Sequence, residues 1–224
     1  MSKVGFFQER RLMWQAFRKD FFHTGSVAPS SRYLGRELAA RLRGERPPAR
    51  ILEIGPGTGP VTAQILPCLR EGDQLDVVEI NGDFVEMLKR RFPQAVLASA
   101  ESAPGPFRLL HTPIQELPGT GLYQHLISGL PFNNFPLPLV QEIWQSIHRL
   151  AAPGATFSFF EYLAIREIKS LFTTRAEKAR LAEIGAHLQQ QIQQYQTHAR
   201  RVFLNVPPAV VRHLEAGGPG GPPA

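Results

Sequence analysis

The chain has 224 residues, of which 43% are hydrophobic and 20% charged, and this composition favours a folded globule with one α/β domain and an appendage. Cys68 is the only cysteine, which excludes an internal disulfide and favours a reducing compartment. No apolar run approaches the roughly 18–20 residues of a spanning helix, and charges interrupt the N-terminal apolar residues. Neither a transmembrane segment nor a signal peptide is therefore expected.

The net charge of +6 comes from the N-terminal part of the chain. Residues 1–50 carry eleven Lys and Arg against four Asp and Glu, whereas residues 51–224 carry fourteen against fifteen. Such a basic arm predicts contact with phosphates, either in nucleic acid or in lipid head groups. A solvated helix face is the alternative interpretation.

Residues 4–22 have the periodicity of a helix that is basic and amphipathic. Its large apolar side chains fall within one third of the helical wheel: Phe6, Phe7, Met13, Trp14, Phe17 and Phe21. This pattern suits a membrane interface, and it equally suits packing against the chain's own domain. After a turn, a second helix is expected over residues 32–43, with Ser30 or Ser31 as its N-cap.

From Arg50 onward, strand and helix patterns alternate. The strand patterns are RILEI, QLDVVEI, AVLAS, FRLLH, HLISGL and PGATFSFFEYL, and RVFLNV near the C-terminus is expected to be the last strand. Alternation of this kind predicts an α/β fold, namely a mostly parallel seven-stranded sheet with helices on both faces.

The remaining C-terminal segments are helical or irregular in pattern. Residues 166–200 are expected to form a helix or helix pair whose apolar stripe faces the core: Leu181, Ile184, Leu188, Ile192 and Tyr195. PPAVVRHL is expected to form a final turn or helix. The expected organisation is an arm over 1–47, a domain over 48–215 with 166–200 as an insert, and a disordered tail over 216–224.

The stretch ARILEIGPGTGPVT joins a strand to a helix through three glycines, Gly55, Gly57 and Gly59. Glycines let the backbone approach a ligand closely, and Glu79, which ends the next strand, can accept hydrogen bonds from ribose hydroxyls. The stretch lacks the Gly-Lys-Ser/Thr of a phosphate loop, and its third glycine comes one residue too early for G-x-G-x-x-G. It therefore predicts a nucleoside cradle, with a glycine-rich turn that binds nothing as the alternative.

The form E-x-G-x-G-x-G, followed by Glu79, resembles motifs I and II of the class I S-adenosylmethionine (SAM) methyltransferases, which have a Rossmann-like fold. The resemblance implies SAM as cofactor. It also implies the cofactor-binding residues: Glu53, Gly55, Pro56, Gly57, Thr58, Gly59, Glu79, Ile80, Ile114 and Ser128. Pro113 and Ile114 stand where the family has an acid near the adenine, so Ile114 is expected to pack on the ring and Gln115 to reach its amino group.

SGLPFNNFP follows the fourth strand and resembles the N-[LIP]-P-[YF] motif of enzymes that methylate nitrogen, including rRNA adenine dimethyltransferases. Ser128 and Gly129 here precede the Leu-Pro pair in place of the expected Asn. The resemblance to bacterial phospholipid N-methyltransferases is closer and spans most of the chain. Four stretches carry it: VAPSSRYLGREL, EIGPGTGPVT, SGLPFNNFP and RVFLNVPPAVV.

This resemblance implies stepwise N-methylation of phosphatidylethanolamine. The implied catalytic residues are Ser128, Leu130, Pro131, Phe132, Asn133 and Tyr162. Tyr162 or Glu161 would accept the amine proton, and the rings of Phe132 and Tyr162 would stabilise the growing ammonium. Arg32 and Tyr33 would hold the lipid phosphate, or else lock the arm to the domain.

The expected partner is an anionic membrane, contacted through residues 4–22 by a monomeric cytoplasmic protein on the inner membrane face. No metal is expected, because the histidines lack ligand spacing, and nucleic acid is the less favoured partner. Two alternatives stay open: an rRNA adenine N6-dimethyltransferase, and a non-catalytic SAM-binding protein associated with membranes.

Overall fold

A computed structural model describes residues 31–163 and 175–216, and within them eight strands form one mixed sheet. The strands are β1 (Arg50–Ile54), β2 (Gln74–Val78), β3 (Val96–Ala98), β4 (Phe107–Leu110), β5 (Tyr123–Ser128), β6 (Ala151–Tyr162), β7 (Gln196–Val202) and β8 (Ala209–Ala216). Their order across the sheet is β3-β4-β2-β1-β5-β6-β8-β7. All pairs from β3 to β6 are parallel, and the last two pairs are antiparallel.

Five α-helices accompany the sheet in the described ranges. They are α1 (Arg32–Leu38), α2 (Thr62–Ile65), α3 (Gly82–Arg91), α4 (Leu137–Leu150) and α5 (Arg175–Tyr195). Ser31 caps α1 as expected, because its Oγ accepts a hydrogen bond from the N–H of Leu34 at 3.2 Å. Asn81 caps α3 in the same way, accepting from the N–H of Asp83 at 2.8 Å.

The helices cover both faces of the sheet, which confirms that part of the sequence prediction. One buried cluster joins Trp144 of α4 and Ile184 of α5 to Phe157 of β6. The other joins residues of α1, α2 and α3 to the opposite sheet face, with Leu34, Ile65 and Leu88 among its members. The stripe predicted on α5 is confirmed: Ile184, Leu188 and Ile192 are buried in the first cluster, Tyr195 packs against it, and Leu181 is buried as well.

The C-terminal part of the sheet corrects three sequence predictions. PPAVVRHL, residues 207–214, is expected as a turn or helix, but residues 209–216 form β8, which pairs with β6 over eight residues. The described part of the sheet therefore has eight strands rather than seven. The strand expected at RVFLNV ends at Val202, and residues 196–200, expected in the helical insert, belong to β7. Pairing with β6 determines the strand conformation of residues 209–216, because Val210 and Val211 are β-branched and favour a strand that packs against a sheet.

Several predicted features lie outside the described residues: the amphipathic helix over 4–22, residues 166–174 of the insert, and residues 217–224 of the tail. Within 31–163 and 175–216, no helix is both long and apolar enough to cross a bilayer.

Candidate active site

The glycine bend, the acid and the LPFNN segment meet where three neighbouring parallel strands end. Strand β1 lies between β2 and β5. The N–H of Gly55 donates to the carbonyl of Val78 at 3.0 Å, and the N–H of Gly129 donates to the carbonyl of Ile54 at 2.9 Å. Carboxyl ends of parallel strands are where open α/β sheets bind ligands, so this edge is the candidate site.

The bend needs glycine for both conformation and space. Gly55, Gly57 and Gly59 have φ values of 66°, 59° and 83°, which other residues rarely adopt. A Cβ at Gly55 would lie 2.2 Å from Cδ2 of Leu130, and a Cβ at Gly129 would lie 2.7 Å from the carbonyl oxygen of Gly55. The bend and the segment after β5 therefore pack backbone against backbone.

Backbone carbonyl groups stabilise the turns of the glycine bend and of the LPFNN segment after β5. The carbonyl of Pro56 accepts from the N–H of Gly59 at 3.0 Å, and that of Thr58 accepts from Nη1 of Arg91 at 2.6 Å. The carbonyl of Pro131 accepts from the N–H of Asn134 at 3.0 Å, closing a turn over Phe132–Asn134.

Glu79 ties the bend to the end of β2. Its carboxylate is buried, with Oε2 accepting from the N–H of Gly57 at 3.1 Å and Oε1 accepting from the N–H of Asn81 at 2.9 Å. These two backbone N–H groups hold the buried carboxylate beside the bend, at the end of the second strand, where an acid can accept hydrogen bonds from ribose hydroxyls.

A narrow apolar slot opens between this acid and the loop after β4. It is lined by Ile54, Gly55, Val78, Ile80, Thr112, Pro113, Ile114, Gln115 and Leu130. Oε1 of Gln115 is buried, and no described residue donates to it. Because a buried amide oxygen without a donor is costly, Gln115 is a candidate acceptor for an amino group such as that of adenine.

Glu53 lies fully buried at the other side of the bend. Burial raises the pKa of its carboxyl to about 8; the hydroxyl and N–H of Thr62 oppose that rise, and the charge of Glu79 adds to it. Neither carboxyl oxygen of Glu53 nor Oγ1 of Thr62 completes a hydrogen bond with a described residue. A cationic group such as the ammonium of the SAM methionine moiety suits this position. Thr62 was missed in the sequence because nothing in the motif marks it.

The segment after β5 is almost wholly buried. Oγ of Ser128 accepts from the N–H of Leu130 at 3.2 Å. The ring of Phe132 packs against Trp144 and Phe159, with both centroid distances at 5.8 Å. Oδ1 of Asn133 is buried and has no donor among the described residues. Asn133 is thus an acceptor available to a ligand at the end of β5.

Tyr162 lies in a different buried cluster from Phe132. Its ring packs against Phe160, at a centroid distance of 5.1 Å, in the cluster that contains α1. Burial raises the pKa of Tyr162 to about 12, so the phenol stays protonated near neutral pH. Glu161, the other expected proton acceptor, forms an ion pair with Arg212 at 2.6 Å.

Arg32 and Tyr33 contact each other on the surface. Nη2 of Arg32 donates to the hydroxyl of Tyr33 at 2.8 Å, and the guanidinium lies 4.8 Å from the ring centroid. Tyr33 lines a second cavity, which the strand after α5 helps to form. Across the described part of the chain, no group of three or more His, Cys, Asp or Glu side chains is placed to hold a metal ion.

The curated relatives that match this chain are named as methyltransferases, although no family model matches it. The chain is 33% identical over 147 residues to the ornithine lipid N-methyltransferase of Singulisphaera acidiphila, which covers 63% of this chain and 74% of that protein. It is 39% identical over 83 residues to the ribosomal RNA small subunit methyltransferase A of Porphyromonas gingivalis. That second match covers 37% of this chain and 29% of the relative.

Solved structures share the fold at low sequence identity. A protein of Corynebacterium glutamicum superposes with a TM-score of 0.58 and 15% identity, covering 90% of this chain and 88% of its own. The 1,6-didemethyltoxoflavin-N1-methyltransferase of Burkholderia thailandensis, which holds S-adenosylhomocysteine, gives 0.55 and 15%, covering 96% and 91%. These likenesses confirm the Rossmann-like methyltransferase fold expected from the sequence.

SAM as the cofactor agrees with the fold and with two features of the site. Glu79 lies beside the glycine bend, and Gln115 places an amide oxygen without a described donor at the apolar slot. The identity to the Singulisphaera enzyme extends over three quarters of that protein's length. The chain is therefore a SAM-dependent methyltransferase of class I and belongs to the family of the ornithine lipid N-methyltransferase.

Proposed function

We propose that this enzyme methylates the amine of a membrane aminolipid of the phosphatidylethanolamine type. The observation that carries the proposal is Asn133, whose buried Oδ1 has no donor among the described residues and follows directly on the Leu-Pro-Phe segment. An amine with two or three N–H groups is the kind of ligand that satisfies such an acceptor. The lipid relative supports a lipid as the carrier of that amine.

The chain's own residues would align the acceptor rather than activate the donor. SAM supplies an electrophilic methyl group on a sulfonium, so catalysis rests mainly on placing the amine nitrogen in line with it. The backbone of Ser128 to Pro131 packs on the glycine bend and so fixes the distance between the cofactor cradle and Asn133.

The lone pair of the amine must be exposed by loss of a proton before the transfer. With Glu161 paired to Arg212 and Tyr162 protonated, we infer that the amine loses its proton to water at the site mouth. The neutral amine would then donate to Asn133. The Tyr162 hydroxyl, which is buried without a described partner, remains a candidate hydrogen-bond partner for the head group.

Methylation of adenine in ribosomal RNA is the second candidate. The local identity to the Porphyromonas enzyme favours it, as does the LPFNN segment. This match covers less than a third of that relative's length, so it supports the RNA substrate less than the lipid relative supports a lipid.

The test uses labelled SAM and separated acceptors: phosphatidylethanolamine liposomes, ornithine lipid liposomes, ribosomal RNA and small soluble amines. We expect label in the phosphatidylethanolamine, and an Asn133→Ala variant that keeps SAM affinity but loses about tenfold or more in turnover, as for one lost hydrogen bond to a charged or reacting group. Label in ornithine lipid alone would mean that the substrate is ornithine lipid rather than phosphatidylethanolamine. Label in RNA alone would overturn it.

A further inference from the structure

Three large apolar side chains project from the loop between β7 and β8. Phe203, Leu204 and Val206 are 69%, 66% and 78% exposed. The loop is nevertheless held in place, because Asn205 between them is buried and bonded to the N–H of Ser31 at 2.9 Å and to the carbonyl of Pro207 at 2.7 Å. Clustered apolar exposure on an anchored loop is typical of an interaction surface.

Positive charge surrounds this loop. A cavity of about 440 Å³ is lined by Tyr33, Arg36, Glu37, Arg43, Arg200, Arg201, Val202, Phe203 and Leu204. Its one acidic side chain among the described residues, Glu37, lies 3.4 Å from Arg200. The other arginines of the cavity therefore leave a net positive charge beside the apolar tip.

We propose that this face, the loop tip Phe203–Val206 with Arg36, Arg43, Arg200 and Arg201, docks on an anionic lipid bilayer. The apolar tip would enter the interfacial region while the guanidinium groups bind lipid phosphates. The arginines alone would also fit nucleic acid, and the apolar tip alone would also fit a protein. The two features together favour an anionic bilayer.

The chain's own N-terminal segment is a poorer occupant of this face. Residues 1–30 carry five Lys and Arg against two Asp and Glu, so they would be repelled by the arginines. Ser31, the first described residue, is hydrogen-bonded to the loop through Asn205. The inference deepens the proposed function, since a lipid substrate requires such a surface.

The experiment measures sedimentation of the full chain with vesicles made of equal parts phosphatidylcholine and phosphatidylglycerol, without SAM or substrate. A Phe203→Ser/Leu204→Ser variant is expected to bind roughly tenfold more weakly, as expected for apolar side chains removed from the interface. Arg201→Ala is expected to bind about fivefold more weakly, an effect that should disappear on vesicles of phosphatidylcholine alone.

Matched controls come from the opposite edge of the sheet. Val96 and Leu97 of β3 are 63% and 49% exposed, so Val96→Ser/Leu97→Ser removes comparable apolar surface. Arg90→Ala removes one exposed charge from α3. Both control variants are expected to bind vesicles like the unaltered chain.

Vesicle binding that is the same for the loop, arginine and control variants would overturn the proposal. So would loss of ribosomal RNA binding by Arg201→Ala with vesicle binding intact. A failure of the proposed function is distinguishable, because it would appear as absent lipid methylation while the vesicle results still separate loop variants from controls.

Discussion

The N–H of Ser31 donates a hydrogen bond to Oδ1 of Asn205 at 2.9 Å, across 174 residues of chain. The two stretches SRYL, residues 31–34, and NVPPAVV, residues 205–211, which are far apart in sequence, therefore form one structural unit. Asn205 is buried and also donates through Nδ2 to the carbonyl of Pro207, so a single side chain joins the start of α1 to the turn before β8.

Replacing Asn205 with Ala is expected to lower the free energy of unfolding by about 1–3 kcal/mol, because the Ser31 N–H and the Pro207 carbonyl both lose their partner. Urea denaturation measures this change. Asn134, also buried, is too close to the active site to serve as control, so an exposed amide, Gln94→Ala, is compared. A change below about 0.5 kcal/mol would mean that the bridge adds nothing to stability.

The close contact between Gly55 and Leu130 makes Gly55→Ala a test of the cradle. The new methyl would meet Cδ2 of Leu130 and would require a left-handed backbone, which costs roughly 1–2 kcal/mol by itself. We expect loss of measurable SAM binding by calorimetry together with destabilisation.

Gly121 separates these two effects. Its φ of 65° matches the 66° of Gly55, but a Cβ there meets nothing within 4 Å. Gly121→Ala should therefore show only the backbone cost and keep SAM affinity. Equal losses of stability in both variants would contradict the steric part of the argument.

Gln115 tests the assignment of the slot to adenine. If its buried Oε1 accepts from the exocyclic amino group, Gln115→Leu should weaken SAM binding about five- to tenfold while leaving the ligand-free melting temperature nearly unchanged. The same variant should no longer discriminate SAM from its analogue with hypoxanthine in place of adenine. Retained discrimination would place the amino group elsewhere.

Local signals were enough to predict the parallel part of the sheet and the glycine bend after β1. Alternating strand and helix periods gave β1 to β6, and the glycine spacing with Glu79 located the bend that Gly55 and Gly57 form. These features depend on residues near one another in sequence. Their physical causes, apolar periodicity and positive φ, can be read without knowing the fold.

Long-range pairing accounts for what the sequence could not supply. β8 is a strand because β6 and β7 flank it, whereas Pro207 and Pro208 in isolation favour a turn. The proximity of Thr62 to Glu53 and the separation of Tyr162 from Phe132 likewise depend on which face of the sheet each element covers. The β7–β8 loop could not be identified as an interaction surface from the sequence, because the exposure of its apolar side chains depends on the fold.

Glu53 gives the ligand-free enzyme a defined dependence on pH. Its pKa is about 8 in the folded chain, against 4.5 when unperturbed, so between these values the folded state holds a proton that the unfolded state has released. Stability therefore falls as pH rises from about 4.5 to 8 and levels off above that, with a slope of at most about 1.4 kcal/mol per pH unit.

Glu53→Gln removes the titration and keeps the shape of the side chain, so its stability should exceed that of the unaltered enzyme increasingly from pH 5.5 to pH 8. Urea denaturation across this range measures the difference, with the exposed Glu71→Gln as control. Because a cationic ligand group favours the ionised carboxyl, SAM affinity of the unaltered enzyme should rise over the same range, and that of Glu53→Gln should not. Parallel stability curves for the two proteins would mean that folding does not raise the pKa of Glu53.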